Sequence, residues 1–299
     1  MTAAELMYKP FRRHCALFTD KFEKGWLHED FVQIADVFKK TVKNYRDVVP
    51  DNLLRKEMEG VYSFNVFNDV FLRMFNEEIN NFYDVAEREH ISIKRPNSMN
   101  NYGVIVNEIG LRPMITAFQY LWPLARHLFP VHASQFDNHH SFIVRYQEGE
   151  DLGLDMHTDD SDVTFNVCLG EEFTGATLTF CGMFGAPNHR QHQHIYHHRV
   201  GRAILHLGSR RHGADNIQSG RRSNLIVWNH NHAYRAKGVN SWDRDSYYEQ
   251  EEGAPSLVCL SYTHDRDYEV YKQLPDAAIK QKRNPWCPPV GYEYEGYHD

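Results

Sequence analysis

Residues 153–170, "GLDMHTDDSDVTFNVCLG", set a histidine among carboxylates and then run straight into alternating apolar and polar positions. Side chains at i and i+2 of a strand point to one face, so His157 and Asp159 project together if a strand extends this far. An imidazole and a carboxylate on one edge are two thirds of a two-histidine, one-carboxylate metal site, which lacks only a second histidine from elsewhere. In the run that follows, Val163, Phe165, Val167 and Leu169 take one face. Thr164, Asn166 and Cys168 take the other, toward an expected cavity.

The rest of the second half has the same texture. "SFIVRYQ", "ATLTFCG", "VGRAILHLG" and "RSNLIVWN" are short β-rich runs separated by Gly, Asp, Glu and Pro, the pattern of an antiparallel sandwich or barrel. The first half reads helical. In 28–48, Phe31, Ile34, Val37, Phe38 and Val42 recur at three- and four-residue steps, and in 67–87 Phe71, Met74, Phe75, Ile79 and Phe82 do so behind a capping Asn68. A third helix is expected from Pro113 to Leu128, after a turn-rich piece leading into a short apolar strand. The expected organisation is a helical region over 1–95, a β domain over 96–268 and a polar, poorly packed extension over 269–299.

The chain has 299 residues, 41% of them hydrophobic, and a formal net charge of −7. An acidic balance argues against a nucleic-acid partner, because phosphate binding needs a basic surface. No segment approaches the length of an apolar membrane span, and no membrane partner is expected. Five widely spaced cysteines without a CxxC pair argue against a disulfide framework and for an intracellular chain, cytoplasmic or nuclear.

Among nineteen histidines, His212 is the best second ligand. In "RHGADNIQSGRRSNLIVW" it is followed by Gly220, at an expected turn with Ser219, and by Arg222, which opens a strand on a face shared with Asn224, Ile226 and Trp228. A buried arginine fork suits a ligand carboxylate. The tract His189, His192, His194, His197 and His198 lacks the closed spacing of a zinc site and reads as a loop or edge strand. Asp155, Asp160 and Asp162 read as solvated loop carboxylates, with Asp160 within reach of substrate, His206 as a core histidine, and Trp228 as core packing.

His157, Asp159, His212 and Arg222, with the surrounding "FIVRYQEGEDLGLDMHTDDSDVTFNVCLG", "FTGATLTFCG", "GRAILHLG" and "RPNSMNNYGVIVNEIGL", resemble the 2-oxoglutarate- and iron(II)-dependent oxygenases, in their prolyl and lysyl hydroxylase-like branch. The similarity is greatest to the group of 2-oxoglutarate and iron-dependent oxygenase domain-containing proteins, over about residues 95–265. It implies a mainly β fold with α, a double-stranded β-helix or jelly roll with N-terminal helices on the larger sheet. It implies Fe(II) on His157, Asp159 and His212, and 2-oxoglutarate on Arg222 with Tyr146 and Asn166 alongside. Dioxygen is the oxidant and ascorbate a supporting reductant.

Hypoxia-type prolyl hydroxylases place a tyrosine that helps hold the cosubstrate carboxylate where this chain has Cys168, so Arg222 needs another partner, for which Thr164 or a water is the candidate. The collagen type carries lysine where Arg222 stands. The implied activity is a 2-oxoglutarate-dependent dioxygenase, a hydroxylase of a lysyl or prolyl side chain of a protein. The alternatives are a small-molecule or free amino-acid substrate, or a catalytically silent metal-binding module.

Overall fold

A computed structural model describes residues 1–39, 49–118, 121–237 and 253–261. Strands β1 (Arg55–Met58), β2 (Val61–Asn65), β3 (Gly103–Ile105), β4 (Asn138–Gln147), β5 (Leu154–His157) and β6 (Val163–Gly170) are followed by β7 (Phe173–Gly175), β8 (Leu178–Met183), β9 (His192–Tyr196), β10 (Arg202–Leu207), β11 (Arg210–Ala214) and β12 (Ile217–His230). They form two sheets. The larger has the order β1-β2-β10-β6-β12-β4-β3, with β7 paired to β12; the smaller has the order β5-β11-β8-β9. Every pairing between these strands is antiparallel. From β4 to β12 the chain crosses repeatedly from one sheet to the other, which is the jelly roll the sequence led us to expect.

The parity of "VTFNVCLG" is realised. Val163, Phe165, Val167 and Leu169 lie in a large core together with helix residues, while Thr164 and Asn166 line a cavity between the sheets. The helices that supply this cover are α1 (Ala3–Tyr8), α2 (Glu29–Phe38), α3 (Asp69–Arg88), α4 (Arg112–Ala117) and α5 (Leu121–Leu128), with α6 (His232–Arg235) after the last strand. Asn68 caps α3, its side chain accepting from Phe71 N at 3.1 Å, and Phe71, Phe75, Ile79 and Phe82 are buried along that helix. With apolar side chains from the helices on one face and the cavity on the other, strand residues such as Leu225 and Ile226 are both buried.

Several expectations are corrected. The 1–95 region is not helical throughout: β1 and β2 form a hairpin that joins the larger sheet beside β10. The third helix is two, α4 and α5, because Phe118 leaves helical geometry at ψ 58°. Gly220 is not in a turn but inside β12, at φ +77°, where a Cβ would sit 2.0 Å from Glu172 O. It lets the strand bend from its pairing with β7 to its pairing with β4. Cys181 and Cys259 form a disulfide; they lie 78 positions apart, and only the fold juxtaposes them. Residues 40–48, which include Val42, and the expected 269–299 extension lie outside the described residues. Among the described residues no helix is long and apolar enough to cross a membrane.

Candidate metal and cosubstrate site

The two sheets bring the candidate ligands together by different routes. His157 ends β5 and His212 lies directly opposite it on β11, so their rings stand 4.3 Å apart between centroids. The strand stops at His157. Asp159 therefore follows in the loop, pinned by its N–H to Gly208 O at 2.9 Å. Gly208 is required by this approach, since a Cβ there would lie 1.9 Å from Ser161 O. From the opposite sheet, Thr164 donates to Asp159 Oδ2 at 2.7 Å.

The protonation states follow from the neighbours. The Nδ1 of His157 lies 2.7 Å from Asp155 O and that of His212 lies 2.9 Å from Arg210 O. A carbonyl only accepts, so each Nδ1 carries a proton, and each Nε2 is the ring nitrogen left to face Asp159. Burial pushes His212 down to about 3, against the pull of Asp159. Burial alone would raise Asp159, but the His212 and His157 rings hold it well below the usual carboxylate range. Asp159 Oδ1 stands 3.5 Å from His157 Nε2 and 3.6 Å from His212 Nε2, longer than an N–H···O hydrogen bond.

Ligand atoms from the three residues all lie within 4.8 Å of one another. Two imidazole nitrogens and a carboxylate oxygen converging in this way form a donor set that fits a divalent cation with open positions, iron(II) among them. It is the one such group among the described residues. The histidine tract accordingly resolves into β9 and its flanks, with His194 3.5 Å from Glu57 Oε2.

Arg222 lines the same cavity. It is 1% exposed, its Nη1 donates to Ala176 O, and its guanidinium lies 4.6 Å from the Tyr146 ring centroid. No carboxylate is within ion-pair distance of it among the described residues, and its Nε has no hydrogen-bond partner. A buried cation without a counterion is costly, and burial lowers its proton affinity. One cavity thus holds both this buried cation and the three candidate metal ligands.

Tyr146, Asn166 and Thr164 all line the cavity. Tyr146 OH accepts from Asn100 Nδ2 at 3.2 Å, and Asn166 Oδ1 accepts from Asn224 Nδ2 at 2.5 Å. Thr164 does not partner Arg222 as expected: its hydroxyl donates to Asp159, and Arg222 Nη1 donates instead to Ala176 O. Trp228, read as core packing, also lines the cavity, and its Nε1 is buried with no hydrogen-bond partner among the described residues. Two of the flanking carboxylates are not solvated: Asp155 is buried against Ser261, and Asp162 is buried against Arg235. Only Asp160 is exposed, paired with Arg235 Nη1 at 2.7 Å at the edge of an open groove that reaches Asp159.

Sequence reasoning missed Asn100 and the carbonyls of Asp155 and Arg210. Backbone acceptors leave no residue-type signal, and Asn100 sits in a segment that carried the resemblance as a whole but was otherwise read as turn-rich, with no residue of it singled out.

Residues 7–134 match the OGFOD2-like domain, straddling the boundary expected near residue 95. The chain is 35% identical over 194 residues to the 2-oxoglutarate and iron-dependent oxygenase domain-containing protein ICU11 of Arabidopsis thaliana, covering 62% of this chain and 48% of that protein. It is 39% identical over 176 residues to 2-oxoglutarate and iron-dependent oxygenase domain-containing protein 2 of Homo sapiens, covering 58% and 49%. The chain thus spans about half the length of these relatives. Among solved structures, a prolyl-4-hydroxylase of Pseudomonas putida aligns with a TM-score of 0.42 at 14% identity, over 66% of this chain and 98% of that one.

Proposed function

As a homologue of the 2-oxoglutarate and iron-dependent oxygenase domain-containing proteins, this chain, we propose, is a dioxygenase that binds Fe(II) through His157, Asp159 and His212 and hydroxylates a C–H bond. The observation that carries the reading is the presence in one cavity of that triad and of a buried arginine with no carboxylate partner among the described residues. Bound iron and 2-oxoglutarate would, with dioxygen as the oxidant, supply oxidative decarboxylation of the keto acid to succinate and carbon dioxide, one oxygen atom of dioxygen entering succinate and the other the substrate C–H bond.

Arg222 receives the distal carboxylate of 2-oxoglutarate, the counterion it lacks among the described residues. Tyr146 backs the guanidinium face, and Asn166 offers its amide to the cosubstrate from the neighbouring strand. Thr164 orients Asp159 and leaves one carboxylate oxygen for the metal. The groove beside Asp159, walled by Phe184 and Tyr234, admits a side chain from solvent. A protein lysyl or prolyl side chain is the substrate class we favour, on the analogy of the hydroxylase branch.

The test incubates the chain with Fe(II), ascorbate, 2-oxoglutarate and candidate peptides, following succinate and the peptide mass. Succinate formation together with a gain of one oxygen atom on a peptide, both lost in His212→Ala, is expected. Absence of succinate under every condition, with no metal-dependent binding of 2-oxoglutarate, refutes the reading in favour of a silent module.

A further inference from the structure

Outside the cavity, Cys181 on β8 is joined to Cys259 in the short turn Leu257–Cys259, and the bridge is buried with Met156. The two carbonyls that take the histidine Nδ1 protons belong to Asp155 and Arg210, and both residues are tied to this bridge or its segment. Arg210 Nη1 donates to Cys181 O at 3.2 Å. Ser261, two residues past Cys259, donates through Oγ to Asp155 Oδ2 at 3.1 Å. Arg211, between Arg210 and His212, donates through Nη2 to Cys259 O at 2.8 Å.

We propose that the Cys181–Cys259 bridge, acting with Ser261, is a positioning clamp for the metal site. It holds residues 253–261 against β5 and β11, so that the Asp155 and Arg210 carbonyls stay aimed at His157 and His212 and both Nε2 atoms converge. The inference rests on the reading of His157, Asp159 and His212 as the iron site.

The clamp is opened by an external thiol. A thiolate attacks one bridge sulfur, forming a mixed disulfide and releasing the other cysteine. A second thiolate attacks the mixed disulfide, releasing the first cysteine and leaving the reductant as its own disulfide. Two electrons and two protons pass to Cys181 and Cys259. The segment is then held by non-covalent ties such as Ser256 N to Arg190 O at 2.9 Å and Gln191 Nε2 to Ala254 O at 2.9 Å, and the metal site loosens.

The experiment uses the full chain with Co(II) as the metal probe, read by its ligand-field absorption. Protein purified without reductant is compared with protein reduced and then desalted anaerobically, and with Cys259→Ser, Ser261→Ala and Ser261→Thr. Circular dichroism establishes folding and mass spectrometry the thiol state. Outer partners of metal ligands are worth about 10–100-fold in affinity. Reduction and Cys259→Ser are each expected to weaken Co(II) binding by about that factor in folded protein, with Cys259→Ser indifferent to reductant. Ser261→Ala weakens binding about tenfold and Ser261→Thr restores it; should Cys259→Ser not fold, this pair decides.

A reduced, folded chain that binds Co(II) as tightly as the oxidised one overturns the clamp, as does purified protein in which Cys181 and Cys259 are free thiols. Oxidised wild type that takes up no Co(II), or whose uptake is unchanged in His157→Ala, overturns the metal site itself and the clamp with it.

Discussion

Arg222 concentrates the chemistry at the scale of single residues. Two charge-assisted hydrogen bonds at about 1.5–3 kcal/mol each set the scale of its contribution. Arg222→Ala is expected to weaken 2-oxoglutarate binding on the order of a hundredfold or more, measured by calorimetry with Co(II) in place of iron; unchanged affinity would remove Arg222 from the cosubstrate pocket. Thr164→Val tests a different role. Its hydroxyl serves Asp159, so the variant should bind metal about 10–100-fold more weakly. A change confined to 2-oxoglutarate affinity would return Thr164 to the role the sequence first suggested. The difference between these residues was only half legible beforehand: parity put Thr164 on the cavity-facing side of its strand and Arg222 on one face with Asn224, Ile226 and Trp228, but that Thr164 meets Asp159 depends on where a loop from the other sheet arrives.

At the scale of elements, β12 shows how local backbone chemistry places the site. Gly220 adopts a left-handed φ under a close approach from Glu172, and Arg222 follows two residues later. Gly220→Val combines an adverse φ with a backbone clash and should destabilise the chain by about 1–3 kcal/mol, read as a lowered denaturant midpoint. Wild-type stability would mean that β12 reroutes without cost. The spacing announced a glycine of special conformation there, and it was the wrong kind of feature: a bend within one strand carries the same residue signal as a turn between two. The β1–β2 hairpin was hidden for a related reason. Its residues Tyr62 and Phe64 are buried against Phe129 and Phe31, partners far away in the chain, and neither strand alternates strongly enough to stand out from the helices around it.

The whole molecule is a jelly roll whose larger sheet is cavity wall on one face and floor of a helical core on the other. Phe165 is 1% exposed in that core, and Phe165→Ala should cost about 3–5 kcal/mol in equilibrium unfolding; a loss below about 1 kcal/mol would show that this layer is loosely packed. The same burial sets an acid limit. His139 sits between Thr116 and Ser141, and desolvation, reinforced by Arg112, pushes it down from 6.5 to about 3. The unfolded chain therefore binds the proton more readily than the folded one. Stability contributed by neutral His139 is intact above pH 6.5 and is lost as pH falls from 6.5 toward about 3. His139→Gln should flatten the pH dependence of unfolding free energy across that window, whereas an unaltered slope would assign the acid sensitivity to other groups.

What the residues determined by themselves was periodic or compositional: alternation in 163–170, helical stripes before residue 90, and a histidine, a carboxylate and an arginine spaced as one oxygenase branch spaces them. Those signals suffice because a period of two or of 3.6 is written into neighbouring side chains. Tertiary structure alone decided which carboxylates are solvated, which carbonyls fix the histidine tautomers and which cysteines meet. Each of these turns on burial or on contact between segments far apart in the chain, and neither leaves a mark on local order.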